Sequence, residues 1–217
     1  MDEMRSQMIA HWDKDALNYD EDPAHHDAND LERWRKLFDQ CGKNSKLLDV
    51  GCGTGFVALV AAEYGFDATG LDWSQMMIER ASKSAKTIDL SLRFVQGFTE
   101  KLPFEGNTFD IVASRHVLWT LVNPVECFQE WRRVLRQGGK VFSDYTPRKE
   151  EYGNIGKHFP MDIESQLPLN RDVGPEEIKA LFREAGFSAV SHESYIRETN
   201  RDGKIRRRES FMFTCEK

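Results

Sequence analysis

Apolar residues recur at helical spacing near the start of the chain. Met4, Met8, Ile9, Trp12 and Leu17 fall near one face, which predicts an amphipathic helix over residues 2–17. A polar stretch with Pro23 then reads as a loop. Its adjacent His25 and His26 diverge in direction and have no third ligand at recognisable spacing, so a solvated or substrate-facing loop is the better reading than a metal site. Leu31, Trp34, Leu37 and Phe38 predict the core face of a second helix that ends before Gly42. From residue 46 the pattern changes. Short apolar runs at 46–50, 67–72, 92–97, 107–115 and 141–145 alternate with helical stretches beginning at Phe56, Gln75 and Pro124, the second N-capped by Ser74. Such alternation predicts α/β architecture built on a parallel sheet. Residues 146–173 are irregular and charged, with Pro147, Pro160, Pro168, Gly153 and Gly156, and a loop of this length is expected to be functional. Gly174-Pro175-Glu176-Glu177 opens a last helix that stops at Gly186, with Pro in its first turn and acids at the positive end of its dipole. Two strands, 188–197 and 204–215, flank the turn Asn200-Arg201-Asp202-Gly203 and predict a hairpin.

The most informative stretch is Asp49-Val50-Gly51-Cys52-Gly53-Thr54-Gly55, an apolar strand that ends in a carboxylate and then breaks into alternate glycines before a helix. Glycine permits positive φ and lets a ligand lie against bare backbone, and the helix N-terminus beyond offers unpaired N–H groups. A second strand, Asp67-Ala68-Thr69-Gly70-Leu71-Asp72, ends in an acid about 20 residues later, where a ribose-binding carboxylate is expected. The glycines do not have the Gly-x-Gly-x-x-Gly spacing of dinucleotide-binding enzymes, which makes an NAD-dependent dehydrogenase a poor reading.

These two motifs, with Trp73-Ser74-Gln75-Met76-Met77 after them, resemble the class I S-adenosylmethionine (SAM)-dependent methyltransferases of the small-molecule, UbiE-like group. The resemblance continues in Thr99-Glu100-Lys101-Leu102-Pro103-Phe104, in Phe109-Asp110, in Ser114-Arg115-His116-Val117-Leu118-Trp119 and in Leu135-Arg136-Gln137-Gly138-Gly139. It implies a Rossmann-like, doubly wound, seven-stranded and mostly parallel sheet with one antiparallel edge strand. It also implies a helical cap (1–43), a SAM-binding core (44–145), a substrate lid (146–173) and a C-terminal helix and hairpin (174–217). By the same resemblance Asp49, Gly51, Cys52, Gly53 and Gly55 hold the methionine end. Asp72 takes the ribose hydroxyls, Trp73 and Met77 flank adenine, and Gly97 borders it. Position 98, an Asp in the family whose carboxylate accepts from the adenine amino group, is Phe98 here. The backbone N–H of Thr99 is then expected to read the base, with Phe98 packed on its ring. Arg115, His116 and Trp119 are expected to shape the reacting end, with Tyr19 and Trp12 of the cap above and Tyr145 among the substrate residues. His116 stands where the family run has Asn. It has two readings: a strand-end residue bonded to backbone, or a base taking a proton from the acceptor nucleophile.

Composition narrows the acceptor and the setting. The 217 residues are 40% hydrophobic, enough for one domain, and no run approaches a membrane-spanning length or a secretory signal. Four scattered cysteines form no CxxC pair, which fits a reducing cytoplasm and no metal. A net charge of −6 disfavours nucleic acid, and Arg206-Arg207-Arg208 beside Glu209 reads as a solvated hairpin edge. The expectation is therefore methyl transfer to N, O or C of a small molecule, with S-adenosylhomocysteine (SAH) as product, by a monomer or homodimer. A tRNA- or rRNA-modifying methyltransferase and a non-catalytic SAM-binding module are the alternatives.

Overall fold

The computed structural model describes residues 2–21, 27, 29–90, 92–149, 159–201 and 204–217. The His25–His26 loop, residues 150–158 of the expected lid, and Asp202-Gly203 of the hairpin turn lie outside the described residues. Seven strands, β1 (Lys46–Val50), β2 (Asp67–Asp72), β3 (Arg93–Gln96), β4 (Phe109–Ser114), β5 (Leu135–Tyr145), β6 (Ala189–Arg201) and β7 (Lys204–Glu216), form one sheet in the order β3-β2-β1-β4-β5-β7-β6. The first five pair in parallel, and β7 runs antiparallel to both β5 and β6. The opposing strand is thus one in from the edge, and β6 is the edge. A helical crossover delivers β6 parallel to β5 but one strand-width away, and the hairpin turns the chain back into the gap.

Helices cover both faces. α2 (Asp30–Phe38) and α3 (Phe56–Glu63) lie on one, where Trp34, Phe38 and Val57 pack on Leu47 and Ile111. On the other, α5 (Pro124–Val134) and α6 (Pro175–Glu184) bring Phe128 and Phe182 into a stacked pair, ring centroids 3.9 Å apart, over Leu48 and Val112. Leu47 and Leu48 therefore serve opposite cores, as the two-residue period of a doubly covered strand requires.

Boundaries shift where packing overrides pattern. α1 (Asp2–Asp15) stops before Leu17, which is exposed, while Met8 and Trp12 join Phe159, Ile163 and Leu167 in a third cluster. β5 begins at Leu135, paired with Phe109, before a register shift that contains Gly138 and resumes at Lys140 opposite Ile111. A Cβ on Gly139 would sit 2.9 Å from the Arg136 carbonyl and 3.0 Å from that of Asp110, so this shift needs glycine. α4 (Gln75–Thr87) starts where expected, with the Ser74 hydroxyl accepting from Met77 N–H at 3.1 Å. Only β7 residues 211–216 pair with β5, so the rest of the β6–β7 hairpin overhangs the sheet's carboxyl edge.

Candidate active site

The strand-to-helix turn after β1 holds Gly51, Gly53 and Gly55 at φ of 67°, 52° and 93°. A Cβ on Gly51 would come within 2.4 Å of Val117 Cγ2, whereas one on Gly53 would meet nothing within 4 Å and project into open space. Gly55 packs against Ala81 and Phe94 and faces no cleft. The turn is fastened to β2 by Cys52 N–H donating to the Leu71 carbonyl and Gly53 N–H to Asp72 Oδ2, both at 2.9 Å. Asp72 Oδ1 accepts from Ser74 N–H at 2.9 Å. Burial raises the Asp72 pKa to about 6, against the pull of these backbone donors.

A cleft of about 690 Å³, counting its open mouth, lies over this edge of the sheet. Its floor is Gly51, Gly53 and Asp72; Leu71, Trp73, Met77 and Gly97 form one end. Arg115, His116, Val117, Thr120 and Leu121 form the other, and Trp12 and Tyr19 overhang it. Most of the expected site residues meet here, Thr99 included. Several do not. Asp49 sits under the turn: Oδ2 accepts from Ala58 N–H at 3.0 Å in the first turn of α3, and Oδ1 is buried with no hydrogen-bond partner. Its carboxyl is pushed up to about 7, first by burial. Cys52 is buried beneath the turn, with burial driving its thiol pKa well up. Phe98 is 41% exposed and edge-on to Trp73, turned away from the cleft rather than stacked within it. Tyr145 is buried, and its hydroxyl donates to the Leu169 and Arg171 carbonyls, so it anchors residues 169–171 instead of facing a substrate. Trp119 sits behind Trp12, with ring centroids 6.0 Å apart, under the Arg148 guanidinium and beside Phe159.

The Arg115–His116 end of the cleft is a charged network. Arg115 Nε and Nη2 reach Asp30 Oδ2 at 2.9 and 2.6 Å, and its guanidinium lies over the Phe56 ring. Held this way, Arg115 is a neutralised wall more than a free cation. His116 has φ of 61°. Its backbone N–H donates to Asp144 Oδ1 at 2.5 Å, and its Nε2 lies 3.3 Å from Asp144 Oδ2. Asp144 is buried, which lifts its pKa to about 6. The hairpin contributes Tyr195, whose hydroxyl is 3.5 Å from Asp144 Oδ2 and whose ring lies under Arg33. Tyr19 is half-buried at the rim, and loss of solvent around its hydroxyl raises its phenol pKa.

Sequence reading missed Leu71, Glu100, Val117, Thr120 and Leu121 as lining residues. Leu71 and Val117 were legible in principle, since each adjoins a residue singled out. It also missed how the cap is fastened. Asp13 Oδ1 accepts from Ser74 Oγ at 2.6 Å and Met76 N–H at 3.3 Å, and Asp20 accepts from Thr54 Oγ1 at 2.6 Å and Arg80 at 3.2 Å. Among the described residues no cluster of three or more His, Cys, Asp or Glu could hold a metal ion, and no helix is long and apolar enough to cross a membrane.

Residues 48–143 match the family model described as a methyltransferase domain. The chain is 31% identical, over 71% of its length, to a probable methyltransferase, ltbC, from Aspergillus luteorubrus, of which it spans only 61%. It is 32% identical, over 75% of its length and 77% of the relative's, to the demethylmenaquinone methyltransferase of Staphylococcus aureus. Among solved structures, the YcgJ protein from Bacillus subtilis superposes with a TM-score of 0.69 over 86% of this chain and 98% of its own at 19% identity, a likeness of fold.

Proposed function

Because the chain belongs to the class I SAM-dependent methyltransferases, we propose that it moves a methyl group from SAM to an N, O or C atom of a small molecule. The single observation that carries this is Asp72, a buried carboxylate at the tip of β2 that lines the cleft beside the bare backbone of Gly53. The residues present fit the cofactor. Asp72 offers an acceptor for a ribose diol, Leu71, Trp73 and Met77 form an apolar slot for a purine, and the Gly51–Gly53 backbone leaves room for the amino-acid end. Bound SAM would supply a methyl on a positively charged sulfur, open to in-line displacement without metal assistance. The chain's work is then alignment and exclusion of water. Trp12 and Tyr19 close the cleft from above, and Arg115, pinned by Asp30, fixes the far wall.

His116 is the base in this reading. Its imidazole lines the cleft with the Asp144 carboxylate 3.3 Å behind it, so a proton taken from an acceptor hydroxyl or amine gives an imidazolium stabilised by an adjacent anion. That pairing favours an enzyme over a non-catalytic binding module. The net charge of −6 and the aromatic roof favour a flat small molecule over RNA. The Staphylococcus relative, named for demethylmenaquinone, points the same way. Four free cysteines suit a cytoplasmic setting.

The test is calorimetric titration with SAM, SAH and NAD, repeated on Asp72→Ala. Micromolar binding of the two sulfur ligands and not NAD, lost in the variant, is the expected result and justifies a metabolite screen for acceptors. Binding of NAD alone, or of nothing, overturns the reading.

A further inference from the structure

The loop after β3 contains a carboxylate that the fold leaves half satisfied. Phe98 and Lys101 form an isolated antiparallel bridge, a tight turn that throws the Phe98 ring outward and brings Glu100 in to line the cleft. The Glu100 side chain is only 9% exposed. Its Oε1 accepts from Arg5 Nη2 of α1 at 3.2 Å, while Oε2 is buried with no hydrogen-bond partner. A buried carboxylate oxygen without a donor is costly and calls for a partner, and a ligand bound beside it can supply one. The turn itself is rigid: Gly97 N–H donates to the Asp72 carbonyl at 2.9 Å, Trp131 Nε1 to Thr99 Oγ1 at 2.7 Å, and Leu102 N–H to Glu130 Oε2 at 2.8 Å. Leu71, Trp73 and Gly97 thus share the cleft lining with an acceptor-only group.

We propose that Glu100, and not the residue at position 98, accepts the hydrogen bond from the exocyclic amino group of adenine, and that it makes this cleft selective for 6-amino over 6-oxo purine nucleosides. The inference rests on reading the cleft as the SAM site. An oxo group at C6 would place an acceptor against an acceptor and be rejected, whereas the amino group satisfies Oε2 while Arg5 holds Oε1. The arrangement also ties base recognition to the cap, because the residue that fixes Glu100 belongs to α1.

The Glu100→Gln variant turns this into a sharp test. Arg5 is a pure donor, so it claims the amide oxygen and turns the amide NH2 toward the base, which now opposes adenine and suits a 6-oxo ring. Calorimetry with SAH and with S-inosyl-L-homocysteine gives the ratio of affinities. Wild type is expected to favour SAH by about tenfold or more. E100Q is expected to cut that ratio by at least about tenfold, with thermal melting as the check on folding. Arg5→Met keeps the acceptor, so both affinities fall together and their ratio stays within about twofold. Wild type that binds both ligands equally overturns the proposal without any variant. So does a folded E100Q protein with the wild-type ratio. Wild type that binds neither ligand instead overturns the reading of the cleft, and the inference with it.

Discussion

Asp49 and Asp72 are both aspartates near the carboxyl ends of neighbouring strands, and the chain puts them to different uses. Asp72 faces the cleft, while Asp49 is turned under it to hold Ala58 at the start of α3. Motif spacing locates such acids but says nothing about which way the carboxylate points, because the turn that folds over Asp49 is set by the positive φ of Gly51, Gly53 and Gly55. His116 makes the same point more strongly. Its φ of 61° is in the left-handed region, where Asn, Asp and His are the non-glycine residues most tolerated. That explains physically why the family run has Asn there and why His can stand in for it. It also supplies a clean variant. His116→Asn keeps the backbone conformation and the hydrogen bond to Asp144 but cannot take a proton. For an acceptor with a protonated nucleophile, kcat is expected to fall about 100- to 10,000-fold, with SAH affinity changed less than about threefold. With SAM saturating, so that the Asp72 titration no longer enters, the acid limb of the kcat profile should vanish with it. A variant that keeps wild-type turnover would leave His116 the strand-end residue of the first reading.

Among the elements, the buried strands and the helices from Gln75 and Pro124 were legible because their apolar period has only one solution on a doubly covered sheet. The cap was legible only by its apolar face. What fastens it is polar and remote: Asp13 on α1 caps α4 some 60 residues on through Ser74 and Met76, and Asp20 reaches Thr54 in the glycine turn and Arg80. No local pattern announces such contacts. Nor does any announce that the hairpin would overhang the edge and lend Tyr195 to Asp144. Since Trp12 of α1 and Tyr19 just beyond it line the cleft, the cap is expected to slow ligand release. Asp13→Ala removes a helix N-cap partner and its favourable charge at the α4 dipole, together about 1–2 kcal/mol. Dissociation of SAH, followed by stopped-flow fluorescence of the cleft tryptophans, is expected to quicken about tenfold, with the association rate nearly unchanged. An unchanged dissociation rate would show that the cap does not gate the cleft.

At the scale of the whole molecule, burying acids along one sheet edge links stability to pH. Asp49, Asp72 and Asp144 have pKa values raised to about 7, 6 and 6, in each case chiefly by burial. A carboxyl that holds its proton more tightly when folded contributes its full share of stability below the unfolded pKa near 4, and loses it as pH rises through the folded value. The ligand-free protein is therefore expected to melt at least several degrees lower at pH 8 than at pH 5. Glu130, lowered by its hydrogen bond to Arg133, acts in the opposite sense, but its contribution is lost only on acidification below this window. Asp49→Asn isolates the largest contributor. Its amide oxygen can keep the Ala58 hydrogen bond, and its NH2 replaces the oxygen that has no partner. Calorimetric melting of D49N should show a shallower fall between pH 5 and pH 8 and a melting temperature at pH 8 no lower than wild type. A wild-type curve flat across that range, or a D49N curve parallel to it, would refute the linkage. Asp72 adds a ligand-dependent part. Ribose hydroxyls donating to its ionised carboxylate would favour the charged form, so SAH should bind more tightly as pH rises through about 6, and the destabilised edge should regain most when the cleft is filled.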